Sequence, residues 1–214
     1  MVKKQSSKID PGSLGPALRK RRKAMGLSLQ TVADGAGLSV GFISQVERGL
    51  TAPSLSSLVG IADVLHTPLS ELLSQPSATS ETTRRAEREP YVVGASDLSY
   101  ERISSSFPGS QIYSVIVHEP PGHRGEPISH RGEEMFFVLA GEVTVEIEGK
   151  VDILRPGDSI HFDSNRVHST WNHTSETLSI LWCGTMDIFG DAPGPIHESA
   201  SVNEVNQPIP IGET

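Results

Sequence analysis

Five consecutive basic residues, Arg19, Lys20, Arg21, Arg22 and Lys23, stand shortly ahead of Ser28, Gln30 and Ser39. Such side chains suit a polyanion. The run supplies positive charge, and Ser28 and Ser39 each precede an apolar-periodic segment. They and Gln30 therefore lie at helix N-termini, where backbone N–H groups favour a phosphate. Each also has a structural use: a basic run can be a solvated helix face, and a capping serine contributes about 1 kcal/mol with no ligand. A second group of residues lies further along, in the spacings Gly122-x5-Ile128-x-His130-x3-Glu134-x6-Gly141 and Gly157-x5-Asp163-x-Asn165-x2-His168-x3-Asn172. Imidazoles and carboxylates move protons, hold ions or receive donors. Cys183 is the single cysteine, which leaves no internal disulfide and no thiolate zinc site.

The elements that position these groups differ between the two halves of the chain. The 214 residues are 36% apolar and carry a net charge of −8, enough chain for one large domain or two small ones. The charge is unevenly placed. Residues 1–75 hold nine Lys and Arg against five Asp and Glu, a net of +4, while residues 76–214 hold nine against twenty-one, a net of −12. Apolar period 3.6 before the polar segment 74–90 gives way to period 2 after it, so that segment is read as a linker. The longest apolar stretch, Met135 to Gly141, falls far short of the roughly 18 residues that cross a bilayer. No hydrophobic segment follows the lysines of Met1 to Ile9. No membrane partner and a cytoplasmic location are therefore expected.

Five helices are predicted in the first half. The first runs from about Leu14 to Met25 and stops at Gly26. Ser28 caps a second that ends at Gly37, Ser39 a third that ends at Gly49, and Ser54 a fourth striped by Leu55, Leu58, Val59, Ala62 and Leu65. Thr67-Pro68 opens a fifth with Leu69, Leu72 and Leu73. Ala33, Gly37 and Ile43 put a small residue at a helix crossing, a glycine in the turn and an anchor on the following helix, which is the helix-turn-helix pattern. Residues 27–49, LSLQTVADGAGLSVGFISQVERG, resemble the lambda-repressor/Cro-type (XRE) DNA-binding domain, and the resemblance covers about residues 12–73.

That resemblance implies that Ser39 to Glu47 form the recognition helix in the major groove of an operator. Gln45 becomes the main base reader, because its amide can bond adenine bidentately. Ser44 can donate or accept, and Val40 can touch only a thymine methyl. Val40 and Gly41 replace residues often polar in relatives, so DNA shape is expected to supply part of the specificity. Ser28, Gln30, Ser39 and Arg48 complete the implied DNA contacts. Arg22 and Glu47 are implied to form a partly buried pair that fixes the third helix.

The second half reads as eight or nine short strands between Tyr91 and Gly184, at about 91–94, 99–104, 111–118, 134–140, 142–148, 151–154, 159–163, 167–173 and 177–184. Such strands imply a jelly-roll sandwich or barrel. The two glycine-histidine spacings resemble the two cupin motifs, over about residues 95–184. The fold expected is thus a five-helix helix-turn-helix domain joined to an all-β cupin barrel.

Cupins of this pattern hold a divalent metal with three histidines and a glutamate. Here Ile128 occupies the first histidine position, and Asp163 and Asn165 replace a proline and a glycine of the second motif. His130, Glu134 and His168 remain, a set that could bind one Fe, Mn, Ni or Zn ion. With Ile128 and Phe136 they could instead bind an organic effector directly, or they could form a structural network. His118, His123 and His161 are read as ordinary strand and loop residues. The acidic module leans weakly toward a cationic or amine effector.

With Glu134 inward, alternation sends Phe136 and Val138 inward too, and Met135, Phe137 and Leu139 to the other face. A strand apolar on both faces predicts a homodimer through the β module. The domain layout expected is an arm at 1–11, the DNA-binding domain at 12–73, a linker at 74–90, the cupin domain at 91–184 and a tail at 185–214. The function expected is a transcriptional regulator, in its favoured form a repressor, that binds an operator as a dimer and responds to a small molecule or metal. The alternative is a metal-dependent cupin dioxygenase or isomerase fused to a DNA-binding domain.

Overall fold

The computed structural model describes residues 14–72, 80–94 and 97–189. The expected arm, residues 74–79 of the expected linker and residues 190–214 of the expected tail lie outside these, as does Leu73. Four helices, α1 (Leu14–Ala24), α2 (Leu29–Ala36), α3 (Val40–Glu47) and α4 (Leu55–Val64), precede a single helical turn, α5 (Leu69–Leu72). Among the described residues, the fifth helix expected from Thr67-Pro68 is thus a single turn, too short for much of an intrahelical ladder.

Serine hydroxyls start three of the helices. Ser28 accepts from the Thr31 N–H at 3.0 Å, Ser39 from Phe42 at 3.1 Å and Ser54 from Ser57 at 3.1 Å. Gly37 ends α2 at φ 66°, a left-handed conformation that a side chain would strain, and its N–H bonds back to the Ala33 and Asp34 carbonyls. Val32, Ala33 and Ala36 of α2 pack with Ile43, Val46, Leu58 and Ala62 in one buried cluster. Gly15 lets α1 lie directly on α3, because a Cβ there would come within 2.3 Å of the Val46 carbonyl.

Nine strands follow: β1 (Tyr91–Val92), β2 (Ser99–Arg102), β3 (Tyr113–Glu119), β4 (Glu133–Ala140), β5 (Val143–Ile147), β6 (Lys150–Leu154), β7 (Ser159–Asp163), β8 (His168–Trp171) and β9 (Leu178–Gly184). They form a six-stranded sheet, β1-β2-β3-β9-β4-β7, and a three-stranded sheet, β6-β5-β8. The closed barrel expected from sequence is therefore two facing sheets among the described residues. Residues 122–128 run beside β8 through backbone hydrogen bonds that include the isolated bridges Arg124 to Trp171 and Ile128 to His168, without forming a strand that joins the two sheets.

Alternation places the sheet interior as expected. Glu134, Phe136 and Val138 are buried, and Met135, Phe137 and Leu139 face outward at 37%, 36% and 44% exposure. No helix among the described residues is long and apolar enough to cross a membrane.

The two modules touch. The Leu55 N–H at the start of α4 donates to the Tyr100 hydroxyl at 3.2 Å, Gly94 packs against Leu14 and Ala52, and Gly37 lies against the Ser129 carbonyl. Of the segment 74–90, Arg88 is pinned to the large sheet by Glu101 at 2.8 Å. Residues 185–189 continue into the core, where Ile188 and Phe189 are buried.

Candidate functional site

On α3, Gly41 and Gln45 are exposed and Ser44 is half-buried, spaced so that one helical face presents all three; Arg48, the cap residue, extends that face. Val40 is half-buried at the start of the same helix, whose opposite side buries Phe42, Ile43, Val46 and Glu47. Ser28, Gln30 and Ser39 are exposed at the N-termini of α2 and α3, with Gln30 donating to Asp34 at 2.7 Å. Arg48 donates back to the Ser44 carbonyl at 3.1 Å.

The basic run is not a uniform surface. Arg22 makes a two-pronged pair with Glu47, at 2.5 and 2.8 Å, and also donates to the Leu27 carbonyl. Arg21 donates to the Leu65 and His66 carbonyls, closing the C-terminus of α4, a role with no local sequence signal because it joins residues 44 and 45 positions apart. Arg19, Lys20 and Lys23 are exposed.

In the β module, a loop delivers His130, β4 delivers Glu134 and the start of β8 delivers His168. Their ligand atoms all lie within 4.8 Å of one another. His130 Nε2 stands 2.8 Å from Glu134 Oε1, and His168 Nε2 stands 3.5 Å from Glu134 Oε2. At 2.8 Å the first pair is close enough for a hydrogen bond but not aligned for one, and both atoms are buried without another partner. An imidazole nitrogen and a carboxylate oxygen so placed can share a proton or both turn a lone pair to one cation.

Both imidazoles hold their Nδ1 against a backbone carbonyl, that of Arg131 at 3.2 Å and that of Arg166 at 2.8 Å, which leaves Nε2 free to ligate. Burial disfavours the His130 cation, but the Glu134 carboxylate outweighs it and holds the group above the ordinary histidine range. Burial holds His168 below that range and favours its neutral form. The donor set fits a divalent cation.

Ile128 stands beside this cluster. It is buried, it exchanges two 2.9 Å backbone bonds with His168, and its side chain lines a cavity of about 90 Å³ together with Glu134, Phe136 and His168. Phe162 meets both Phe136 and His168 edge-on. Among the lining residues that sequence reasoning did not assign to the site are Tyr100, Glu119 and His123. Glu119 was within reach of the pattern, since it continues the inward face of Val115 and Val117 on β3, one position past the predicted strand end. Ser54, Leu55 and Ser56 also line the cavity, contributed by the helical module. His118 bridges Glu101 and Ser179, and exposed His161 meets Glu133 at 3.0 Å, both outside the cavity.

Residues 18–72 match a family model described as helix-turn-helix (HTH_3), and residues 115–184 match the cupin domain model (Cupin_2). The HTH-type transcriptional regulator PuuR of Escherichia coli (strain K12) is 27% identical over 177 residues, covering 82% of this chain and 96% of that relative. The transcriptional regulator ClgR of Mycobacterium tuberculosis is 35% identical over 85 residues, 38% of this chain and 76% of that relative. Among solved structures, an HTH_3 family transcriptional regulator from Vibrio cholerae superposes with a TM-score of 0.51 at 21% identity, covering 82% of this chain and 96% of that one. At that identity the likeness speaks to the fold.

Proposed function

We propose that the chain is a helix-turn-helix transcriptional regulator with a cupin domain behind its DNA-binding domain, as the two family matches and the regulators it resembles support, and that it binds its operator as a dimer and answers to a small molecule or metal held in the cupin cavity. The observation that carries the DNA reading is the face of α3, where Gly41, Ser44 and Gln45 stand together, with Arg48 beyond them and three exposed cations on α1. The glycine brings the backbone close to the groove. Gln45 reads a base edge, while Ser28, Gln30 and Ser39 set the register on phosphates.

Gln45→Ala is expected to weaken operator binding by roughly 1–3 kcal/mol and relax one base preference, with the melting profile unchanged. Binding to a randomised operator library measures this, and an unaltered preference at every position would refute the assignment.

The sensor half of the reading is supported by His130, Glu134 and His168, which would hold one divalent ion, with Nδ1 of each histidine fixed by its carbonyl. The ion would supply a positive charge and open coordination positions to an effector donor; Ile128 keeps that side of the site apolar. Metal analysis is expected to find up to one Fe, Mn, Ni or Zn per chain after reconstitution and a loss of at least about tenfold in metal affinity in His168→Ala. Equal metal content in the variant would leave these three residues as direct contacts to an organic effector.

The outward residues Met135, Phe137 and Leu139 provide the surface for the second subunit. Two recognition helices one helical turn apart on DNA then read two half-sites together.

A further inference from the structure

The cavity has a second polar point, away from the His130, Glu134 and His168 cluster. Glu119, at the end of β3, is only 4% exposed. One oxygen, Oε1, stands 3.4 Å from the Thr170 hydroxyl, a long contact; the other, Oε2, is buried with no protein donor. Thr170 lies two residues beyond His168 on β8, roughly 7 Å along the strand, so the two polar points share one cavity without merging.

Leaving a buried carboxyl oxygen without a donor costs about 1–3 kcal/mol or more, a cost the fold has no structural reason to carry. Burial pushes this carboxyl up to about 7, so it spends much of its time neutral until a donor meets it. Val115, Val117, Ile180 and Trp182 give the same space apolar walls, and His123, Glu126 and Ser169 add polar groups to its lining.

Part of the wall belongs to the DNA-binding domain. Ser54, Leu55 and Ser56 form the start of α4, and the Leu55 N–H is held by the Tyr100 hydroxyl, itself buried in the cavity lining. A molecule in this cavity therefore touches both domains at once.

We propose that Glu119 is a second recognition point for the effector, receiving a hydrogen-bond-donating head group, ammonium or hydroxyl, of a short apolar molecule that lies against the N-terminus of α4. The inference rests on the sensor reading above and adds the ligand chemistry and the route to the DNA-binding domain. A cavity of about 90 Å³ is smaller than one of about 150 Å³ that accepts benzene, so about four heavy atoms fit. The ligand then stabilises or displaces the Tyr100 to Leu55 contact, and its differential affinity for the two arrangements is what shifts the DNA-binding domain.

The test uses the full-length protein, ¹⁵N-labelled, titrated with n-propylamine, 1-propanol and propionate. The amine is expected to bind most tightly and propionate not at all, with amide shifts at Ser54, Leu55 and Ser56. Glu119→Gln, which keeps the side chain's size, is expected to weaken amine binding by roughly tenfold or more, the value of a charge-assisted hydrogen bond. Tighter binding of 1-propanol than of the amine, lost in Glu119→Gln, supports the proposal with a hydroxyl as the donor.

Three results would overturn it: propionate binding as well as the amine, an unchanged Kd in Glu119→Gln, or ligand shifts that leave α4 untouched. Operator affinity measured with and without the amine tests the underlying sensor reading separately. Probe binding with no change in operator affinity removes that reading and leaves the Glu119 site standing.

Discussion

Glu47→Ala is expected to unfold the helical domain well below the melting temperature of the parent protein. Glu47 is 7% exposed and accepts both prongs of the Arg22 guanidinium, which is itself mostly buried between α1 and α3. The hydrogen bond to Glu47 keeps Arg22 more firmly protonated than usual. Removing the carboxylate leaves that cation buried with only the Leu27 carbonyl, and such half-broken pairs cost about 3–5 kcal/mol. A domain the size of residues 14–72 has roughly 3–9 kcal/mol of stability in all.

Circular dichroism at 222 nm should therefore show the helical transition lowered by about 15 °C or more. The double variant Arg22→Met, Glu47→Leu should recover much of the loss, because no charge is left buried. A single variant that melts with the parent would show the pair to be a surface interaction.

In the proposed dimer, Phe137→Asp is expected to give a monomer and to lower operator affinity by about 10²–10⁴-fold. The residue sits at the middle of the outward apolar face of β4, between Met135 and Leu139. A carboxylate there would have to be desolvated on association, with no basic partner supplied by its own strand. Once the subunits separate, each recognition helix binds its half-site alone and loses the effective concentration that the linked partner provides. Sedimentation velocity and fluorescence anisotropy on a two-half-site operator measure the two effects. A variant that stays dimeric, or a monomer of undiminished affinity, would place the dimer contact elsewhere or remove the need for it.

Much of the architecture was legible because it depends on local chemistry. Capping serines at 28, 39 and 54 and the glycine at 37 fall where the structure puts them, since a cap is satisfied by residues two to four positions away. The inward set Glu134, Phe136 and Val138 follows from strand alternation alone. The fifth helix is a single turn among the described residues; a proline start and leucines signal a helix without measuring its length. Barrel closure was over-read for a related reason: strand patterns say which face is buried, while ladders between distant strands depend on register and twist.

The basic run shows the same limit. Five neighbouring cations look alike in sequence, yet Arg21 closes α4, Arg22 pairs with Glu47, and Arg19, Lys20 and Lys23 face outward.

The sequence by itself determined that this chain has a helix-turn-helix module and a cupin module, with an exposed helix face around Gln45 and a histidine-carboxylate set at 130, 134 and 168. These are readable because residue type and short spacing place them on one helix face or strand. Only the tertiary structure decided that Glu119 lies buried in the same cavity, and that the wall above it is the start of α4. Glu119 and Leu55 are 64 positions apart, and no local pattern records which surfaces meet when two separately folding halves pack together.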